Sequence, residues 1–198
     1  MLFQTLLTTT LLAASTSAAA VALPRAPTEG SSTTFRLSAN VTRFDLSPSV
    51  QGQQLSLLVT GDDCALDLAL LPRGNDFYQT PRDTLAVVSD SGEMGVVVTP
   101  GGTATVPSLN TVQARCGDAS PGVAVAPDAN AAGAVDLQFE NGGWMACPRE
   151  EGSETVVLRF RANGQRILAG CADVQLLPLC EEGSAAGEAI ETTCYTGL

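Results

Sequence analysis

Histidine and lysine are both missing from the 198 residues, aromatic side chains make up only 5% of them, and tryptophan occurs once. Without histidine there is no Ser-His-Asp or Cys-His relay, no H-E-x-x-H zinc site and no copper site built on an N-terminal histidine. Without lysine there is no Schiff-base chemistry. No glycine-rich stretch has P-loop or dinucleotide spacing and no cysteines stand as C-x-x-C, so no cofactor and no metal are expected. Positive charge is scarce as well. Ten basic residues, all arginine, face 21 acidic ones for a net charge of -11. That balance disfavours nucleic acid, because neutralising phosphates needs clustered cations, and it suits an acidic exterior where carboxylates titrate and self-repulsion falls.

What is present points outward from the cell. Residues 1–20 read as a secretory signal: they carry no charge, hold an apolar run centred on Leu6 to Ala14, and lead into small residues suited to cleavage near Ala18 to Ala22. Threonines and serines make that run too polar and too short to span a bilayer, and no other stretch could cross one, so no membrane partner is expected. The end of the chain, from Cys194 to Leu198, has no apolar tail of the kind a GPI anchor needs. Residues 21–34, rich in Pro, Ser and Thr, read as a flexible lead, and residues 35–198 as a single β-rich domain with one core. The expected localisation is secreted, extracellular or in a cell wall.

Six cysteines, an even number in a chain read as secreted, suggest a disulfide framework: Cys64, Cys116, Cys147, Cys171, Cys180 and Cys194. Spacing alone leaves the connectivity open. Cys147 with Cys171 is favoured because both flank one core hairpin region, and Cys180 with Cys194 is the next expectation. The single N-x-[ST] sequon, Asn40-Val41-Thr42, is the candidate glycosylation site, either carrying a glycan that points to solvent or left unused.

Alternation carries the secondary structure. Phe35, Leu37, Ala39 and Val41 alternate with polar residues, as do Val135, Leu137 and Phe139, a period of two that marks half-buried strands. Further runs at Gln54–Thr60, Leu66–Leu71, Asp76–Gln79, Leu85–Val88, Gly95–Thr99, Thr103–Val106 and Thr111–Arg115 are too short for helices and are separated by Gly, Pro, Asn and Asp. Asp62-Asp63 lies in one such polar turn and lacks the further oxygen ligands of a calcium loop. The segment Pro121–Gly133 reads as a loop or weak edge strand. Asn141-Gly142-Gly143 turns the chain into Trp144-Met145-Ala146-Cys147, which Pro148 stops. The fold class is all-β: a disulfide-stabilised antiparallel β-sandwich or barrel of about ten to thirteen short strands.

Asn163-Gly164 is the strongest two-residue hairpin signal, since both positions tolerate the positive φ of a type I′ turn. The register it predicts pairs Phe160 with Ile167, Leu158 with Ala169 and Val156 with Cys171, and sets Arg161 opposite Arg166 with Arg159 alongside. Such a patch either is compensated by nearby carboxylates or holds an anionic partner. Beyond Cys171 the parity slips, which predicts a bulge or strand break. Trp144, Arg159, Arg161 and Arg166 are therefore the candidate binding residues, although a lone tryptophan beside a strand also suits a core. A glycosidase would need two carboxylates across a cleft, and spacing alone does not place Asp62, Asp63, Glu140, Glu150 or Glu151 across one. No catalytic residue is assigned.

The run from Leu137 and Phe139 through Ala146-Cys147-Pro148 to Cys171 resembles the L-x-F…ACP…C region of fungal secreted cell-wall proteins of the PhiA type, associated with phialide and spore surfaces. Phe77-Tyr78, Ser89 to Gly92 and Met94-Gly95 are similar to that family's aromatic strand and D-x-S-G-M-G turn, with Glu93 interrupting the latter, and Cys194-Tyr195-Thr196 to its C-terminus. The stretch Cys171 to Cys180 resembles the C-A-x-V-x-L-x-P-x-C ending of other small fungal secreted proteins. The resemblance spans about residues 64 to 198 and implies a non-enzymatic extracellular protein whose partners are wall polysaccharide or wall proteins. The other readings are a glycan- or protein-binding module or effector, and a carboxylate-pair hydrolase.

Overall fold

A computed structural model describes residues 27–59, 64–89, 92–101, 103, 110–127, 134–183, 185 and 187–197. The signal at residues 1–20, the acids Asp62 and Asp63, and most of the strand expected over Thr103–Val106 lie outside these residues. Among them there are fourteen strands and no helix: β1 (Glu29–Ser32), β2 (Thr34–Arg43), β3 (Gln54–Leu58), β4 (Ala65–Leu71), β5 (Phe77–Thr80), β6 (Thr84–Ser89), β7 (Gly92–Thr99), β8 (Thr111–Cys116), β9 (Ala124–Pro127), β10 (Val135–Gln138), β11 (Gly143–Pro148), β12 (Val156–Arg161), β13 (Ala172–Glu181) and β14 (Thr192–Tyr195).

Of the sandwich and the barrel, the chain forms the barrel. A 12-stranded sheet closes on itself because β13 pairs with β2 and β12 with β8. The path from β2 through β13, β11, β12, β8, β7, β6 and β5 returns to β2, every step antiparallel. Closure satisfies ladder groups that an open sheet would leave at its edges. β9 and β10 form a separate two-stranded sheet, so the small-residue segment after Pro121 does supply a weak strand.

Alternation places the core as the sequence requires. Phe35, Leu37 and Ala39 of β2 are at most 1% exposed, and Leu55, Leu68, Leu85, Val96, Val112, Leu158 and Leu176 join them inside. Trp144 on β11 sits opposite Phe160 on β12, their rings in an edge-to-face contact at 5.5 Å, and Phe139 meets the same Phe160 ring at 5.1 Å. Each such aromatic pair contributes about 1 kcal/mol beyond its buried area. Gly142 is required here: a Cβ on it would run into the Phe160 ring and the Arg161 carbonyl.

All six cysteines are paired, as Cys64–Cys116, Cys147–Cys171 and Cys180–Cys194. The parity slip after Cys171 is a register shift between Asp173 and Val174 of β13.

Two expectations are corrected. Residues 29–32, part of the expected flexible lead, form β1, which pairs with β14 from Glu29↔Tyr195 to Ser32↔Thr192. No apolar pattern announces this strand; its side chains alternate between exposed and half-buried, and what holds it is the supply of backbone partners that an edge strand leaves open.

A turn does form at Asn163-Gly164, with Gln165 N donating to Ala162 O at 3.0 Å, but only Gly164 takes a positive φ, 83°, so it is a type II-like turn and not the expected type I′, and no strand returns along β12. Both edges of β12 are taken, one by β11 and the other by β4 and β8. Phe160 therefore faces Trp144 rather than Ile167, and Leu158 faces Ala146 rather than Ala169. The side chain of Gln165 is engaged elsewhere: its Oε1 accepts from Ala162 N and from Asn110 Nδ2, and its Nε2 donates to Thr103 O. The rest of the segment crosses the outside of β11. There Ile167 and Leu168 cover Met145 and Cys147, residues opposite in facing to Trp144 and Ala146, and Cys147–Cys171 pins the cover. β11 is thus buried on both faces, which is why its sequence reads as a continuous apolar run.

Candidate functional site

Two clefts near β11 hold three of the four candidate binding residues, Trp144, Arg161 and Arg166. The first, of about 270 Å³, lies over one end of β11 and is lined by polar side chains that include Gln138, Glu140, Arg161, Asp173 and Gln175, with Trp144 at its base. Trp144 is 3% exposed and its Nε1 donates to the Leu137 carbonyl at 2.6 Å, so it offers no ring face for stacking on a sugar. Its central charges, Asp173 and Arg161, are paired, while Glu140 stands exposed at its edge. Asp173, 8% exposed, accepts from Arg43 at 2.9 Å on one oxygen and from Arg161 at 3.5 Å on the other. Arg161 also donates to the Gln165 carbonyl, and Asp136 Oδ1 accepts from Gln138 Nε2 at 2.8 Å. Gly143 is what lets Arg161 lie across the turn, for a Cβ there would come within 2.8 Å of Arg161 Nη2.

The expected arginine patch is therefore divided. Arg161 pairs with a carboxylate rather than facing Arg166. Arg159 is half-buried between Met145 of β11 and Thr111 of β8. Arg166 is exposed and belongs to the second cleft. Of the acids, Glu140 stands in the turn before β11, and Glu150 and Glu151 in the exposed turn after it. Six extended residues separate the two turns, about 20 Å at strand rise, whereas a glycosidase pair needs roughly 5–10 Å. Among the described residues no group of three or more Cys, Asp or Glu is placed to hold a metal.

The second cleft, of about 460 Å³, runs between the segment after β2 and the segment before β13. Phe44, Leu46, Ile167 and Leu168 give it apolar walls and Arg166 a cation. Phe44 is 67% exposed and holds φ at 59°, the left-handed region, which costs a non-glycine residue roughly 1 kcal/mol or more. The turn that imposes this is tied by Asp45: Oδ1 accepts from Leu46 N at 2.8 Å and Val50 N at 3.1 Å, and Oδ2 accepts from Ser49 Oγ at 2.5 Å. Those bonds, Ser49 first, hold the Asp45 carboxyl below its usual range. Sequence reasoning passed over this turn; the Asp45-x-Ser-Pro run, an Asx-type turn signal, is the mark that could have found it.

Elsewhere, Tyr78 is fully buried beside β6 and β7, and burial, then the neighbouring Glu93, push its pKa well up. It is a structural phenol at neutral pH. Asn40, the sequon residue, is half-buried on β2; its Nδ2 donates to Gln175 Oε1 at 3.2 Å and its Oδ1 accepts from Gln51 at 3.4 Å.

Three disulfides on an antiparallel barrel mark a protein matured in an oxidising compartment. No helix among the described residues is long and apolar enough to cross a membrane. No curated protein and no solved structure matches the chain significantly. A family model does match, over residues 32–180, from the residues leading into β2 to the end of β13. The chain belongs to that family, described as a domain of unknown function, DUF7907.

Proposed function

We propose that this protein is a secreted, non-enzymatic component of a fungal cell wall or surface. The observation that carries the reading is how the reactive groups of the barrel are used. All six cysteines are in bridges, and Asp67, Asp76 and Asp173 each pair with an arginine. The resemblance of Ala146-Cys147-Pro148 and its surroundings to PhiA-type wall proteins supplies the fungal setting. A rigid, acidic barrel of this kind can coat, space or hydrate a wall, with wall polysaccharide or wall proteins as partners and a glycan on Asn40 facing the same medium.

Fractionation of fungal wall and culture medium tests this, with the oxidised protein incubated in parallel with chitin, β-glucan and common glycosides. Wall enrichment without product is expected. Reproducible hydrolysis that disappears in Glu140→Gln would overturn the reading in favour of a hydrolase.

A second reading, a secreted binding module, draws on one observation: the groove at Phe44 and Arg166 presents apolar walls and an exposed cation, while the Asp173 and Arg161 charges of the cleft at Trp144 are engaged with each other and with Arg43.

A further inference from the structure

We propose that the groove between Phe44-Asp45-Leu46 and Arg166-Ile167-Leu168 binds a single-chain amphiphilic carboxylate, a fatty acid of medium length, with its chain along the apolar walls and its head on Arg166. The inference deepens the binding reading above and is independent of the wall reading, because its test reads occupancy and not location.

Four observations carry it. The groove is concave, and its volume of about 460 Å³ lies in the range of sites that enclose small molecules. Its walls are apolar: Ile167 and Leu168 are seated on Met145 and on the Cys147–Cys171 bridge, which anchors the floor to β11. Phe44 is held out from the surface, 67% exposed at φ 59°, by a turn whose hydrogen bonds end on Asp45; backbone strain that keeps an aromatic ring in water is a feature of ligand sites rather than of packing.

The fourth observation is charge. Arg36, Arg43, Arg149 and Arg161 are in ion pairs; Arg166 is one of several arginines with no carboxylate in salt-bridge reach among the described residues, and the one of them that is exposed on the lining of this apolar groove. Asp45, the anion lining the same groove, is turned onto its own loop and spends both oxygens there. A ligand that brings one negative charge and an apolar tail meets an unpaired guanidinium and a dry wall. A neutral sugar would leave the wall unused, and a polyanion would meet the net charge of -11.

The chain has two isoleucines, Ile167 in the groove and Ile190 in the bridge beside β5. Labelling isoleucine δ1 methyls gives one reporter at the site and one internal control. Decanoate, titrated at pH 7 below its micellar concentration into the full oxidised chain, is expected to shift Ile167 saturably and leave Ile190 in place. Arg166→Gln, at an exposed position, is expected to weaken binding about tenfold with both methyl signals otherwise intact, and Phe44→Gly to weaken it further. No shift at Ile167, or equal affinity for decanol, would overturn the assignment. So would an Ile167 shift that follows protein concentration instead of decanoate, since that would make the occupant a second copy of the chain.

Discussion

The two clefts beside β11 differ in what their charged groups are doing. Over the Trp144 end, Asp173 is shared by Arg43 and Arg161, and the indole is closed off by the Leu137 carbonyl. Along the Phe44 groove, Arg166 has no carboxylate in salt-bridge reach among the described residues, and an aromatic ring stands in water. The same few kinds of residue thus make a brace in one place and an open surface in the other. Residue type did not separate them; pairing does.

If the Trp144 cleft is a brace, breaking it should cost stability first and binding last. Trp144→Ala removes a ring buried among Phe139 and Phe160 and is expected to destabilise the protein by about 4 kcal/mol, read as a fall in the denaturation midpoint. Replacing Cys147 and Cys171 together by serine opens a bridge that spans 24 residues, and chain entropy puts that loss at about 3 kcal/mol. This variant sharpens the comparison, because it loosens the floor of the groove. Decanoate binding should weaken with it, and the Trp144 emission should stay that of a buried indole.

The legible part of this architecture is the part that repeats with period two. Phe35, Leu37 and Ala39, or Val135 and Leu137, need a strand because one face is apolar, and the chain obeys. The Asn163-Gly164 turn shows where such local reasoning stops. A turn forms there, with positive φ at Gly164 alone rather than at both residues, but register depends on which strand edges are free, and residues far apart in sequence, β4, β8 and β11, had already occupied β12. β1 was illegible for the opposite reason: it is held by backbone ladder bonds to β14 and has no fully buried side chain. At the candidate sites, the sequence picked out Arg161 and Arg166 together, yet Asp173, only two positions past Cys171, decides that one is neutralised and the other is not. Phe44 was passed over because a single exposed aromatic has no periodicity to announce it.

Smaller effects follow on either side of the comparison. Asp173→Asn leaves two guanidinium groups facing a weaker acceptor, and because Arg43 is itself largely exposed the loss should be about 1–2 kcal/mol, seen in urea titration and reduced by high salt. Phe44→Gly has the opposite sign. It relieves a left-handed φ at a position where the ring buries little, so stability should stay level or rise by up to about 1 kcal/mol, while decanoate affinity falls. A variant that gains stability and loses ligand would separate display from packing at that residue.

Trp144 is the only tryptophan, which makes the state of the polar cleft directly readable by acrylamide quenching of native, oxidised protein with and without chitin oligosaccharide. A braced cleft gives blue-shifted emission, a quenching constant several-fold below that of the unfolded chain, and no change on adding the sugar. Quenching as strong as in the unfolded chain, or protection by the oligosaccharide, would show an exposed indole in a working sugar site and contradict the assignment of that cleft to structure.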